Sequence, residues 1–517
     1  WQAYNYYGGY SLYGTSTNQF SLSERAYKVS YNRPFSTREM EWGVSWVFNA
    51  EYPMVRWLES NGYDVSYFTG VDSARYGQLI QNHRVFLSVG HDEYWSGDQR
   101  ANVEAARDAG VHLAFFSGNA IFHKTRWEAS FDGSNTPYRT LVDYKETADG
   151  AKIDPSLEWT GTWRDPMGAD YDAGRPENEL MGTIFMVNGP IVPPNPFEVP
   201  AEYGDMRFWR NTSIADLAPG EVATLAAGTL GYEWDEDQDN GFRPAGLIRL
   251  SSTTANVDGY YLLDWGHTFG AGTATHHLTL YRAPSGALVF GGGTIQWSWG
   301  LDANHDATFY PAPPVDVRMQ QATVNLFADM GVQPGTLQAN LVAATASSDA
   351  TAPVSAITSP SDGAAVEQGV PVTVLGTASD SGGGGVGGVE VAVDGGLSGH
   401  PAEGRASWSY TWTPLERGVL PLLSRAVDDS GNLDTPGAGV TITVGSTDTT
   451  PPVVTATSPA DGAVDLAVDA VVTATFSEAM DPTSVDNTTF ELSDAGSALV
   501  AATVTYDPAT DTACLLY

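Results

Sequence analysis

The sequence predicts an α/β domain built on a parallel sheet, with a β-rich elaboration, followed by immunoglobulin-like β-sandwich modules. Three observations carry this. Residues 49–118 alternate helix-like and strand-like apolar periods, which implies parallel strands with helices covering both faces. From about 155 to 335 the pattern changes to short strands punctuated by Gly and Pro, with one late helix at 315–330. Beyond 350, the stretch Pro353-Val354 to Ser359-Pro360-Ser361-Asp362-Gly363 recurs as Pro452-Val453 to Ser458-Pro459-Ala460-Asp461-Gly462, and Pro360 and Pro459 stand 99 residues apart. Many short Val/Thr-rich strands in a unit of about 100 residues read as a sandwich.

The elements follow in order. Asn49 is the expected cap of a helix whose apolar positions Met54, Val55 and Leu58 repeat with helical spacing until Asn61-Gly62. Asp64–Phe68 reads as a strand, 73–82 as a helix and 84–90 as a strand. Ser96 and Gln99 form a capping box for a helix over 97–109, which Gly110 stops before a strand at 111–116. The domains expected are therefore 1–340, containing the insert at about 155–310, then 350–445, then 450–517. Thr345–Thr351 and Gly445–Thr450 read as linkers. The chain opens at Trp1 without an initiator Met and the second module is short, so both ends look truncated.

Asp and Glu outnumber Lys and Arg 62 to 25, giving a formal charge of -37. That balance excludes nucleic acid as a partner, because phosphate binding needs clustered Lys and Arg. Cys514 is the only cysteine, so disulfides and a Cys-based zinc site are excluded. No apolar run approaches the roughly 20 residues of a membrane span. Asp235-Glu236-Asp237-Gln238-Asp239-Asn240-Gly241 is similar to a calcium loop, but its Gly is one position late and no acid stands at the twelfth position. It reads as a solvated acidic loop. In His276-His277, strand alternation turns one imidazole inward and the other out.

Chemistry gathers after the strand at 84–90, where Gly90 is followed at once by His91, Asp92, Glu93 and Tyr94. In an open α/β sheet, ligands bind at the carboxyl ends of the strands. Ser117-Gly118-Asn119, after the strand at 111–116, and Tyr52, in the first turn of the first helix, are expected at the same edge. No Gly-x-Ser-x-Gly elbow, His-Glu-x-x-His pair or phosphate loop is present, so serine acyl transfer, the common zinc-protease mechanism and nucleotide hydrolysis lose support.

The elements His91-Asp92-Glu93-Tyr94-Trp95, Phe116-Ser117-Gly118-Asn119, Arg56-Trp57-Leu58-Glu59 and Gly291-Gly292-Gly293-Thr294-Ile295-Gln296-Trp297 resemble the large subunit of N,N-dimethylformamidase and its bacterial relatives, over residues 25–335. The resemblance implies a glutamine-amidotransferase-like core, hydrolysis of small N-substituted formamides, and a mononuclear ferric iron, Fe(III), held by two tyrosines and a glutamate. It further implies a small partner subunit and the possibility of an oligomer. Carried over, the metal ligands are Tyr94, Tyr52 and Glu177, with Glu179 as rival to Glu177. The family's histidine two residues before its glutamate is here Arg175 or Glu177. His91 or Glu93 then moves a proton to the leaving amine, and Asn119 holds the oxyanion or orients a ligand.

The later segments resemble bacterial immunoglobulin-like modules through Gly388-Val389-Glu390-Val391-Ala392-Val393-Asp394, Trp408-Ser409-Tyr410-Thr411-Trp412 and Thr473-Ala474-Thr475-Phe476-Ser477-Glu478. They imply spacers on an exported or cell-surface bacterial protein with polysaccharide association. The reading is thus a metal-dependent hydrolase of a small-molecule amide. The alternatives are a non-catalytic adhesion or glycan-binding protein, or an exported enzyme with a polysaccharide-linked substrate.

Overall fold

The apolar runs Val85–Gly90 and His112–Ser117 pair in parallel, Val85 opposite His112 and Gly90 opposite Ser117. The computed structural model describes residues 9–14, 22–33, 47–189, 196–306, 313–393, 399–445 and 451–517. In it Leu288–Gly291 runs parallel to His112–Ser117 on the other side. Thr279–Arg282 and Ile248–Arg249 extend that edge by antiparallel pairing. The N-terminal region is therefore a mixed α/β structure with parallel strand pairs, as expected. Asp64–Phe68, expected as a strand, forms none, and Tyr67 and Phe68 are exposed. A strand inside a covered sheet needs apolar residues on both faces. Leu288-Val289-Phe290-Gly291 supplies them, all buried, whereas Asp64-Val65-Ser66-Tyr67-Phe68 does not.

The helices fall near their expected places. Tyr52–Ser60 buries Met54, Trp57 and Leu58, but its N-cap is Glu51; Asn49 instead donates its amide to the Asp306 carbonyl at 2.7 Å. The helix expected over 73–82 is Gly70–Tyr76, closed by a reciprocal Thr69–Asp72 cap, continuing as a 3-10 turn over Gly77–Asn82. Gly97–Asp108 starts from Ser96, whose hydroxyl accepts the Gln99 N–H at 3.2 Å. Val317–Asp329 packs into the main core with Trp57, Phe116, Phe290 and Trp297.

The β-rich elaboration is an antiparallel sheet ordered Glu233–Glu236, Ile184–Asn188, Thr253–Leu262, Phe269–His276. Two sequence expectations fail here. The acidic stretch from Asp235 is an exposed loop only over Asp239–Gly241: Glu233–Glu236 is a buried strand, and the buried Asp237 carboxylate receives Arg243 at 2.8 Å and Arg249 at 2.7 Å. Two guanidiniums supply the charge that solvent was expected to provide. His276 and His277 are also both buried, because the strand ends at His276 and the chain turns. His276 Nε2 lies 3.0 Å from the Gly292 carbonyl, and His277 Nδ1 lies 2.6 Å from that of Ser251.

This burial has a pH consequence. Burial pushes His276 down to about 3 and His277 down to about 4. Both stay neutral in the fold and protonate once unfolded, so their contribution is fully present above pH 6.5 and is lost as pH falls toward 4 and 3. The slope is about 1.4 kcal/mol per pH unit for each histidine titrating only in the unfolded chain. Urea midpoints should therefore drop between pH 7 and pH 4.5. The drop should be shallower in His277→Gln, and equal slopes in the two proteins would count against this account.

The chain divides into two compact units, residues 1–365 with 369–443, and 444–517 with 366–368. Within the first unit, the sandwich that begins at Val354 is not held off by a linker, as expected for a spacer. Glu390 of the module accepts Gly246 N–H at 2.8 Å and lies 3.3 Å from Arg243, and Asp429 accepts the Arg207 N–H at 2.8 Å. Val427 belongs to the main hydrophobic core and Leu433 packs on it. The Thr345 carbonyl is held by Arg207 and Arg210. Of the second expected linker, 446–450 lie outside the described residues. The second unit is an antiparallel sheet ordered Val454–Ser458, Val472–Phe476, Thr512–Leu516, Thr503–Asp507.

Candidate active site

Gly90 ends its strand at φ 79°, a conformation that disfavours side chains, and a Cβ there would lie 2.7 Å from Ala50 Cβ. The strand can therefore turn directly under the chain leading into the first helix. Gly118 is pressed equally hard, since its Cβ would meet the Glu233 carbonyl at 2.8 Å. These contacts draw three segments to one sheet edge. The turn after His112–Ser117 then locks the motif: Ile121 N–H donates to the Asp92 carbonyl at 3.0 Å and His123 N–H to that of Glu93 at 2.9 Å. Asn119 and Ile121 both have positive φ, at 49° and 57°, and a β-branched residue there is strained.

Around Glu93 and Tyr94 the groups converge. The Tyr13 hydroxyl is 3.2 Å from Glu93 Oε1 and bonds the Tyr94 hydroxyl. Lys145 Nζ lies 3.4 Å from the Tyr94 hydroxyl and 3.0 Å from His123 Nε2. The His123 ring stacks on Tyr94 with centroids 5.2 Å apart, and its Nδ1 stands 3.3 Å from Asp143 Oδ2. On the other side, His91 Nε2 is 2.9 Å from Glu233 Oε2 and 3.5 Å from Glu93 Oε2. All these residues except Asp143 line one cleft of about 1920 Å³.

Burial dominates the electrostatics. It holds the Glu93 carboxyl and the Tyr94 phenol above their ordinary values, Tyr94 strongly so, with the Glu93 charge adding to Tyr94. It pushes Glu51 up to about 7, and it lowers Lys145 and, strongly, His123. Burial also works against charge on His91. There the Glu233, Glu93 and Glu51 carboxylates outweigh it and raise the imidazole to about 9. His91 is therefore a cation at neutral pH, set among acids. Among the described residues, His91 Nδ1, Asn119 Oδ1 and Glu51 Oε2 are buried without a hydrogen-bond partner. Buried polar atoms are normally paired, so several orphans in one cleft point to a ligand-binding role.

Of the residues singled out from sequence, His91, Glu93, Tyr94 and Asn119 line this cleft. Asn119 also donates its backbone N–H to Asp235 at 2.9 Å. Tyr52, Glu177 and Glu179 are not brought to it. The Tyr52 ring packs edge-on against Phe48, with the Arg56 guanidinium 5.8 Å over it. Successive helix residues point about 100° apart, so it is the neighbouring Glu51 that lines the cleft. The Glu177 carboxylate is fully buried against the Arg164 guanidinium, and Glu179 receives Arg175 at 2.8 Å and Arg100 at 3.0 Å. Each carboxylate neutralises a neighbouring arginine.

Sequence reasoning missed Tyr13, Glu51, His123, Lys145 and Glu233. Lys145 alone left a trace, as one of four lysines in so acidic a chain. Two phenols and one carboxylate, the donor types implied for ferric iron, do meet in the structure, but as Tyr13, Tyr94 and Glu93.

Residues 1–308 match the family described as N,N-dimethylformamidase beta subunit-like, C-terminal. Residues 353–444 match a bacterial Ig domain and 448–515 a bacterial Ig-like domain. No curated protein matches the chain. Among solved structures it is similar to the fibronectin(III)-like modules of Clostridium thermocellum CbhA, at 21% identity over 18% of this chain and 94% of that one, TM-score 0.16. It is also similar to a chimeric titin Z1Z2 carrying an exogenous peptide from decorin, at 16% identity over 32% and 82%, TM-score 0.15. With 308 of its 517 residues matched, the chain belongs to the N,N-dimethylformamidase beta subunit-like family, followed by two bacterial immunoglobulin-like domains.

Proposed function

We propose that this protein hydrolyses amide C–N bonds in the cleft at the carboxyl edge of its sheet. The observation that carries the reading is the meeting of Tyr13, Glu93 and Tyr94 beside the His91–Glu233 pair. This oxygen-rich set suits a hard cation such as ferric iron. Tyr13, Tyr94 and Glu93 would hold it, in place of the set Tyr52, Tyr94 and Glu177 expected from sequence. When bound, the ion supplies a Lewis acid that polarises a carbonyl and acidifies water.

The chain's own residues do the rest. His91, kept cationic by Glu233, delivers a proton to the leaving nitrogen, because amine departure requires protonation. Lys145 fixes positive charge beside the Tyr94 hydroxyl, where negative charge develops. The Asn119 carboxamide, with its unpartnered oxygen, orients the substrate. The immunoglobulin-like domains support an exported bacterial protein.

The test is incubation of the full chain with a panel of small amides, N,N-dimethylformamide included, and assay of the released amine. Amine release that is lost in His91→Ala is the expected result. A wild-type protein that cleaves no amide yet binds glycan would instead make it a non-catalytic adhesion protein.

A further inference from the structure

The cleft is too large and too aromatic for a formamide alone. Typical small-ligand pockets enclose roughly 300–1,000 Å³, against about 1920 Å³ here. From Tyr13 and Tyr94 its wall continues through Trp127, which packs with Tyr94 on the small core of Leu12, Val29 and Leu141. Trp127 stacks on Tyr31, with centroids 5.6 Å apart at 17°, and meets Tyr138 at 6.5 Å. The Arg75 guanidinium lies 4.8 Å over the Tyr138 ring from the facing helix. Trp127, Tyr31, Tyr138 and Arg75 all line the cleft.

Two further features bear on what this shelf could hold. Among the described residues, Trp127 Nε1 is one of six indole donors buried without a hydrogen-bond partner, and of the six only Trp127 lines the cleft. Tyr138 is held at φ 57°, a costly conformation for a bulky residue and one that clusters at ligand clamps. Flat π faces in a row, ending on a planar guanidinium, bind rings by stacking, and the spare N–H donates to a polar substituent on such a ring.

We propose that Trp127, Tyr31, Tyr138 and Arg75 form a ring-binding subsite, so that the preferred substrate is an amide carrying a ring on its acyl or amine side. The hydrolytic reading of the cleft is needed only for where the amide lies. The test is calorimetric binding of acetanilide, N-acetylglucosamine and N,N-dimethylformamide to the full chain and to Trp127→Leu and Tyr138→Ala. At least one ring-bearing probe should bind about tenfold or more tighter than N,N-dimethylformamide, and at least one variant that keeps the wild-type thermal midpoint should lose that preference. Preference for acetanilide would identify an aromatic ring, and for N-acetylglucosamine a pyranose. Equal affinity for all three probes, or a preference unchanged in both variants, would overturn the subsite. Ring preference without amide cleavage would leave the subsite standing and remove the hydrolytic reading; cleavage without ring preference would do the reverse.

Discussion

Glu93→Gln is expected to lower kcat/KM for amide cleavage by roughly 10²–10⁴-fold, the range for losing a positioned acid–base or charge-stabilising group. The side chain is isosteric, so the expected loss is chemical. Glu93 touches Tyr13, and its carboxylate lies 3.5 Å from His91 and 3.6 Å from His123. Removing its charge uncouples the phenol pair from the imidazolium and withdraws the only carboxylate of the proposed donor set. Tyr52→Phe provides the contrast. Its ring lies against Phe48 and Arg56 and does not line the cleft, so kcat/KM should stay within about twofold of wild type. A Glu93→Gln protein with wild-type turnover would contradict the assignment.

The second large effect is on stability. Glu177→Gln should destabilise the first unit by about 3–5 kcal/mol, because it leaves a buried guanidinium without its counter-charge. Arg164 is 3% exposed and Glu177 fully buried, and the same guanidinium donates to the Phe185 carbonyl at 2.8 Å. Arg164→Met combined with Glu177→Leu should recover much of the loss, since removing both charges ends the desolvation penalty. Denaturant midpoints measure both. A Glu177→Gln midpoint near that of wild type would mean that water or another group neutralises Arg164. A Glu177 serving as a cleft ligand would instead change activity without this cost.

What could be read in the sequence was local. The strand over 84–90, its break at Gly90 and the cluster His91 to Tyr94 follow from neighbouring residues, and the structure keeps them together at the sheet edge. Helix phase was less legible. Whether Glu51 or Tyr52 faces the cleft depends on where the first helical turn starts, and that start is set by the close fit of Gly90 against Ala50 rather than by the helix itself. Tyr13, Lys145 and Glu233 reach the site from a β-bridge, a loop after Thr140–Val142 and the strand Glu233–Glu236. Their approach is decided by sheet pairing, which no local pattern encodes. Glu177 illustrates the converse: its position downstream suited a ligand, but a buried arginine not adjacent in sequence claimed it.

The proposed donor set makes the sharpest contrast between neighbouring tyrosines. Iron content and the visible tyrosinate charge-transfer band should be measured on iron-loaded wild type, Tyr13→Phe, Tyr94→Phe and Tyr52→Phe. The expected result is near-stoichiometric iron in wild type and Tyr52→Phe, with the band weakened or shifted in Tyr13→Phe and Tyr94→Phe. A band that survives in Tyr13→Phe and Tyr94→Phe but is lost in Tyr52→Phe would contradict the account.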